Sequence, residues 1–286
     1  IKWQFIYAKP NFNYSDNTLF TSIKSSTSDF LTDSGYKTSE IGFSLGTKFE
    51  QFQNIFLSPE LDFLIEDLET TNEASNILKK QEGSYTDLYF NYSINQDLRD
   101  KKFRTEDGYV TTFSQELPLV SDNAEFSNAF EITNFKKLSS TSDMVGKISF
   151  FGKTITGLSD DVRISKRLNI PSKRLRGFQR GKVGPVDNND YVGGNHVSSL
   201  NLSATLPTLV QGLDNLDVGV FFDAANVWGV DYDSSIDDKS TVRSSAGVAL
   251  NLMTPIGPLS FSFANALSKA SSDKTETFRF NLGTQF

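Results

Sequence analysis

The sequence contains no cysteine, a single histidine and no apolar run long enough to make a membrane-spanning helix. Without cysteine the chain has no disulfide bonds, no thiolate metal site and no cysteine nucleophile. A transmembrane helix needs about 18 consecutive apolar residues, whereas here the mean hydropathy is −0.33. The 28 Lys and Arg residues are outnumbered by 35 Asp and Glu, giving a net charge of −7. That balance gives no electrostatic support for nucleic-acid binding.

Phenylalanine, by contrast, is abundant, with 25 residues against 2 Trp and 9 Tyr. Many of these Phe residues alternate with Ser, Asn, Gly or charged residues. A soluble domain hides its Phe in a core, but only one face of each strand of a membrane barrel meets lipid. Aromatic residues in alternation with polar ones therefore favour such a barrel.

The end of the chain shows this alternation most clearly. One face carries Phe278, Phe280, Leu282 and Phe286, and the other carries Arg279, Asn281, Gly283 and Gln285. The same pattern predicts thirteen strands, many of them near the nine to eleven residues or so that a tilted membrane strand needs. Their predicted ranges are 2–12, 17–28, 37–48, 54–67, 84–96, 109–117, 125–136, 143–151, 195–206, 217–228, 242–252, 259–267 and 276–286.

The connections between the predicted strands fall into two sets. The compact set is 48–54, 118–124 and 254–257. The longer set is acidic or rich in Ser and Asn, and comprises 29–36, 68–83, 152–193, 229–241 and 268–275. Short turns alternating with long loops are typical of outer-membrane barrels, although 118–124 is short on the side of the long loops. A soluble β-sandwich is the alternative, but its strands are shorter and its apolar face is buried.

Segment 152–193 is the longest without a strand pattern, and loops of this length are usually functional or disordered. It carries several glycines and the basic residues Lys166, Arg167, Lys173, Arg174, Arg176 and Arg180. An arginine beside glycines in such a loop needs a carboxylate or carbonyl partner to hold it. The plainer interpretation is a solvated basic loop.

Candidate catalytic and metal-binding groups are weak. His196 lies near Ser198, Ser199 and Asn195, but it shares the face of Leu200 and not that of Asn195, and no Gly-x-Ser-x-Gly turn exists. The acidic clusters do not have the spacing of a calcium loop. These clusters are Asp231, Asp233, Asp237 and Asp238, and the pair Asp187 and Asp190. We therefore predict no catalytic residue, no metal site and no cofactor.

A set of ordered motifs covers the chain. The motifs are Leu175-Arg176-Gly177-Phe178, Gly184-Pro185, Val192-Gly193-Gly194-Asn195, Phe221-Phe222-Asp223, Asn226-Val227-Trp228, the hairpin from Ser245 to Leu259, and the terminal Phe286. Together they resemble the barrel of the BamA family of outer-membrane protein assembly factors. Arg99-Asp100, Phe103, Thr105 and Gly108 are similar to an earlier turn of that family, with Arg104 where a proline is usual.

This resemblance implies an all-β fold, an antiparallel transmembrane β-barrel with about 13 strands present of an expected 16 or so. Residues 1–286 are then a partial C-terminal barrel, with the first strands and the periplasmic POTRA repeats absent. The start, Ile1-Lys2-Trp3-Gln4, is neither an initiator methionine nor a signal peptide, so we expect the sequence to begin within a longer protein.

The resemblance also implies that segment 152–193 folds into the barrel lumen, where Arg176 pairs with Asp223. Strand parity supports this, because Phe222 falls on the outward face and Asp223 on the inward one. Ser203 stands where the family has a second acidic partner on the preceding strand. Asp217, which shares the inward face, is therefore a candidate for an additional partner.

The function implied is a non-enzymatic factor of the bacterial outer membrane that folds and inserts other barrel proteins. In the family, a weak seam between first and last strands opens, and the exposed edge pairs with incoming strands. The implied partners are unfolded outer-membrane barrel proteins, accessory lipoproteins and the lipid bilayer. The seam strand here is 276–286, with Phe278, Phe280, Leu282, Gly283 and Phe286. The alternatives are a two-partner secretion transporter, a TamA-like factor, a passive porin or an outer-membrane enzyme.

Overall fold

The computed structural model describes residues 2–102, 104–207, 215–254 and 257–282. Thirteen strands form one antiparallel sheet in which each strand pairs with its neighbours along the chain. They are β1 (Lys2–Lys9), β2 (Thr18–Phe30), β3 (Tyr36–Phe52), β4 (Ile55–Thr70), β5 (Gly83–Asp97), β6 (Gly108–Ser121), β7 (Glu125–Lys137), β8 (Val145–Gly157), β9 (His196–Thr205), β10 (Leu216–Trp228), β11 (Arg243–Thr254), β12 (Gly257–Ser268) and β13 (Phe278–Leu282). Within the described residues, no helix has both the length and the apolarity needed to cross a bilayer.

The prediction of an all-β antiparallel fold with thirteen strands is confirmed, and the differences lie at strand ends. The main correction concerns β8, which continues past 151 to Gly157 because 152–154 pair with the start of β9. The long loop therefore spans 158–195 and not 152–193. Nor is it structureless, since it contains two single 3₁₀ turns and a short hairpin, Val186–Asp187 with Asp190–Tyr191. Similarly, 29–36 is no long loop, because one helical turn (Leu31–Ser34) separates β2 from β3.

Alternation divides the sheet into an apolar face and a polar face. Large apolar side chains on the first face remain exposed, for example Ile41 at 64%, Phe263 at 49% and Leu61 at 44%. On the opposite face, Glu66 and Asp223 are fully buried. Exposing apolar surface to water costs about 25 cal/mol per Å². The apolar face is therefore suited to contact with lipid, as the outward face of a membrane barrel is.

The long loop lies on the polar face and touches strands that are far apart in the sheet. It contacts Glu66 on β4, Asp223 on β10 and Arg279 on β13. One loop can reach all three strands only if the sheet curves around it, so the polar face is the inner wall. Among the described residues, β1 and β13 form no ladder with each other.

A small apolar core fixes the middle of the long loop to the inner wall. Four loop residues pack against three wall residues of β9 and β10: Ile170, Leu175, Phe178 and Val183 against Val197, Ala225 and Val227. All seven are at least nine-tenths buried. Apolar burial and the polar contacts described below together hold the loop inside the sheet.

Candidate functional site

The 175–178 motif sits at the inner wall with its arginine against β10. Arg176 donates from Nε to Oδ2 of Asp223 and from Nη2 to Oδ1, both at 2.8 Å. Its backbone N–H also donates to Oδ2 at 3.1 Å. The carboxylate of Asp223 is fully buried, whereas the Arg176 side chain is 20% exposed. This is the two-pronged geometry that makes an arginine–carboxylate pair strong and directional. The structure therefore brings together the two side chains that the sequence analysis paired.

Side chains of β9 and β10 form further contacts around Arg176 and Asp223. Asn201 on β9 donates from its side-chain amide to Oδ1 of Asp223 at 2.8 Å and to the carbonyl of Arg174 at 2.7 Å. The guanidinium of Arg176 lies over the ring of Phe221, with Cζ 3.4 Å from the ring centroid. Ser203, by contrast, lies opposite Phe221 in the β9–β10 register, while Asn201 lies opposite Asp223. The polar neighbour of the pair is thus Asn201, one inward position away from Ser203.

Asp217 does not contact Arg176, so its candidacy as an additional partner is wrong. Its carboxylate forms an ion pair with Arg104 instead, with an N–O distance of 3.1 Å. Asp217 and Asp223 do share the inward face of β10. They are separated by six residues, however, and a strand rises about 3.3 Å per residue. The distance along the strand, about 20 Å on this rise, is too great for one guanidinium to reach both carboxylates.

Gly177 is required by its backbone and by its neighbours. Its φ is +87°, in the region that side chains disfavour. A Cβ atom at this position would lie 3.0 Å from Cβ of Ala264 and 3.3 Å from Cβ of Ser245. Its neighbours Leu175 and Phe178 are 2% and 1% exposed. Glycine therefore allows the backbone to lie against β11 and β12 while the flanking apolar side chains enter the core.

An anchor that sequence reasoning missed lies earlier in the long loop, at Arg163. Arg163 is fully buried and faces three carboxylates from three strands. The guanidinium lies 2.7 Å from Asp87 on β5, 2.8 Å from Glu125 on β7 and 3.3 Å from Glu66 on β4. Lys166 adds a second cation 3.8 Å from Glu66. Strand parity in the sequence could have indicated these three carboxylates, because each occupies an inward position next to an outward apolar or aromatic residue.

Two further arginines of the long loop form ion pairs. Arg167 pairs with Asp231, which lies in the connection after β10, and donates to the side-chain oxygen of Asn195 at 3.0 Å. Arg174 pairs with Glu131 on β7 at 2.6 Å. Burial raises the pKa of Asp231, but the charge of Arg167 and hydrogen bonds from Val162 and Asn195 outweigh burial, so this pKa lies below its ordinary value. Arginines of the long loop thus repeatedly pair with carboxylates outside the loop.

Two other candidate residues from the sequence analysis, His196 and Asp187, make structural contacts. His196 packs on Trp228 with ring centroids 5.5 Å apart. Asp187 accepts a hydrogen bond from the hydroxyl of Tyr232 at 3.0 Å. Among the described residues, no three or more His, Cys, Asp and Glu side chains form a group able to hold a metal. The arrangement supports positioning of the loop by charge-assisted hydrogen bonds.

The last strand, β13, has a lipid-type face and an inner face. Phe278, Phe280 and Leu282 are exposed on the apolar side, at 49%, 48% and 61%. Arg279 points to the inner side, where it reaches the long loop. Gly283 and Phe286, which the sequence analysis also assigned to this strand, lie outside the described residues.

Comparison with known proteins shows the family to which the chain belongs. The model of the Omp85 superfamily domain matches residues 2–286. The chain belongs to the Omp85 superfamily. Among curated Omp85-related proteins, the outer membrane protein assembly factor BamA of Neorickettsia risticii (strain Illinois) is 24% identical over 218 residues, 75% of this chain and 29% of that protein. The chain spans less than a third of the length of the curated relatives it matches.

Solved structures support the same superfamily fold. The structure of BamA from Haemophilus ducreyi lacking POTRA domains 1-3 has a TM-score of 0.82 at 22% identity, covering 98% of this chain and 61% of that one. CdiB from Acinetobacter baumannii has a TM-score of 0.57 at 14% identity, covering 98% and 50%. At these identities the likeness shows the fold alone. By that fold, this Omp85 chain is similar to the barrel part of BamA.

Proposed function

We propose that this Omp85 barrel is integral to the bacterial outer membrane and folds and inserts other barrel proteins there, without catalysis of its own. The observation that carries the proposal is the match of the Omp85 superfamily domain to residues 2–286, in a chain whose fold is similar to the barrel part of BamA. The last strand, β13, has an apolar outward face and an inner face that contacts the long loop. Such a strand, placed at a seam, is suited to pair with an incoming strand by β-augmentation.

Energetics separate an insertion factor from a passive pore. In lipid, each unsatisfied backbone group costs several kcal/mol, so a porin needs permanent closure of its sheet. An insertion factor needs a weaker closure, because an arriving strand must compete for the same hydrogen bonds. No nucleotide is required, since the client's own folding and burial in lipid supply the free energy. Accessory lipoproteins would act as partners in delivering clients.

A reversible lock across the seam tests this proposal. In the full-length protein, one cysteine is placed on β13, for example Asn281→Cys, and another on the strand that neighbours it across the seam. The described sequence has no native cysteine to interfere. Oxidation should abolish the assembly of client barrels, measured as heat-modifiable folded protein in the outer membrane, and reduction should restore it. Each single-cysteine variant is the control. Unchanged client assembly with the lock verified would exclude the lateral-seam mechanism.

Protein translocation, the alternative within the same superfamily, is the second candidate. A translocating barrel passes its substrate through the lumen, so the long loop would obstruct or gate the path. Secretion of a dedicated partner that stops while client assembly continues would support this candidate. If the seam lock affects neither process, a passive pore remains.

Membrane integration is tested separately by extraction with carbonate. Because the apolar face of the sheet is exposed, the full-length protein should stay in the membrane pellet at high pH. Recovery in the soluble fraction would contradict the membrane barrel.

A further inference from the structure

The connection between β12 and β13 runs alongside the 175–178 motif. Glu276 donates its backbone N–H to the carbonyl of Gly177 at 3.0 Å, and Gln179 donates to the carbonyl of Lys274 at 2.9 Å. Lys274 in turn donates to the carbonyl of Lys182 at 3.0 Å. Segments 177–182 and 274–276 therefore form a short backbone ladder, which we call the loop–hairpin ladder. The motif is tied by its own backbone to the hairpin that leads into the last strand.

Arg279 on β13 adds a side-chain attachment to the same loop. Its Nη1 donates to the carbonyl of Ser172 and its Nη2 to the carbonyl of Phe178. Its Nε donates to Glu276, and the side chain is only 12% exposed. The two carbonyls lie on either side of the arginine and glycine of the motif. A planar guanidinium donates to both from a fixed fork of separate nitrogens, whereas a lysine presents all its donors from a single nitrogen on a flexible stem.

The sheet also holds β13, which pairs with β12 from Leu259–Leu282 to Phe263–Phe278 within the described residues. The hydrogen bonds of Arg279 and of the loop–hairpin ladder are additional attachments between β13 and the long loop.

We propose that Arg279 is a positioning residue that couples the seating of the 175–178 motif to the last strand. In this coupling, the Arg176–Asp223 pair holds the motif, and the loop–hairpin ladder with Arg279 transmits that position to β13. Release of the motif frees β13, and release of β13 loosens the motif. The inference rests on the proposed function for its purpose, since it assigns the internal control of the edge strand. The coupling itself concerns only this chain and is measured without a client.

Hydrogen–deuterium exchange of the full-length protein in lipid nanodiscs tests the coupling. Loss of charge-assisted hydrogen bonds should speed local exchange about tenfold. Arg279→Gln should raise exchange in 278–282 and also in 175–182, where no residue is changed. Arg176→Gln should raise exchange in the same two segments. The double variant should add little to either single variant, because one release already frees both segments.

Two variants keep the test decisive. Lys269→Gln removes the same charge from an exposed position of the same connection and should exchange like the wild type. Arg279→Lys, which keeps the charge but loses the fork, should show an intermediate increase and serves if Arg279→Gln fails to fold. Exchange that rises in β13 alone, or additive effects in the double variant, would overturn the coupling. The seam lock fails or succeeds on client assembly, so the two proposals can fail separately.

Discussion

Arg163 and Arg176 belong to the same loop, yet the inner wall binds them in different ways. Arg163 is fully buried and faces carboxylates from β4, β5 and β7. Arg176 is 20% exposed and faces one carboxylate, that of Asp223, with the amide of Asn201 beside it. The first anchor joins three strands through one guanidinium, whereas the second is a one-to-one pair. A buried centre shared by three strands is costly to break, and a partly exposed pair is easier to release.

The charge balance differs between the anchors as well. At the first anchor three carboxylates face one arginine, with Lys166 as a second cation near Glu66. Oε1 of Glu66 has no hydrogen-bond partner among the described residues, although the atom is buried. At the second anchor, both oxygens of Asp223 are engaged. The comparison assigns the first anchor to fixing the loop in the fold and the second to holding the motif.

Removing Arg163 should have the largest effect. Arg163→Gln leaves three buried carboxylates without their main counter-charge, and breaking a buried ion pair in this way costs about 3–5 kcal/mol. We expect the full-length protein in detergent to unfold at a clearly lower denaturant concentration, followed by Trp fluorescence. Arg180→Gln, an exposed arginine of the same loop, is the matched control. Equal midpoints for Arg163→Gln and wild type would remove the distinction between the anchors.

Reversing charge at the second anchor should have a smaller effect on stability. Arg176→Asp and Asp223→Arg each remove charge-assisted hydrogen bonds that contribute about 1.5–3 kcal/mol. Each single variant should also impair client assembly, while the double exchange should restore part of it, since the two sites are coupled. The measurements are the unfolding midpoint and the amount of folded client. A double variant as poor as the sum of the singles would argue against a direct pair.

Neutralising one carboxylate at each anchor sharpens the contrast. Glu66→Gln lowers the excess negative charge around Arg163, and Asp87 and Glu125 still bind the guanidinium, so the cost should stay below about 1 kcal/mol. Asp223→Asn removes the single counter-charge of Arg176 and should cost more, about 1–3 kcal/mol. Both values come from denaturant unfolding in the same detergent. If Glu66→Gln lowers the free energy of unfolding more than Asp223→Asn does, the first anchor carries no excess of negative charge.

The smallest effect concerns pH and the pair between Arg167, which lies between the two anchor arginines in sequence, and Asp231. Because the pKa of Asp231 is below its ordinary value, its contribution to stability is present above roughly pH 4 and is lost as pH falls through the folded-state pKa. The stability difference between wild type and Asp231→Asn should thus be constant from pH 7 to about pH 5 and shrink below about pH 4. Limited proteolysis of the long loop measures it. A difference that declines already at pH 6 would contradict the lowered pKa.

Strand parity predicted much of the fold and part of the candidate site. Alternation predicted the number of strands and the lipid-type face, because a side chain on a strand can point only to one side or the other. The same rule put Asp223 on the inner face and Phe222 on the outer one. The rule fails along the strand, where it cannot distinguish one inward position from the next. For this reason Asn201 was missed in favour of Ser203, and Asp217 was offered as a partner of Arg176.

The long loop has features that the sequence pattern does not predict. Its length and basic charge are evident from the sequence, but its start is not, because Gly152 supplies no apolar side chain at a position where β8 continues. Its internal hairpin has only two residues per strand, too few for a period to be recognised. Basic composition indicated that acidic partners were needed. It did not indicate which of the 35 acidic residues supply them.

By itself, then, the sequence determined the all-β architecture, the two faces of the sheet and the inward position of Asp223. These follow from local geometry, since a two-residue period acts over neighbouring residues. The pairing of Asp223 with Arg176 was instead implied by the family resemblance. Only the tertiary structure decided that Glu66, Asp87 and Glu125 meet at Arg163, and that Arg279 holds the carbonyls of Ser172 and Phe178. Such contacts join residues that are far apart in the chain. They exist only because the sheet curves around the loop and brings the side chains of its inner wall within hydrogen-bonding distance of the loop.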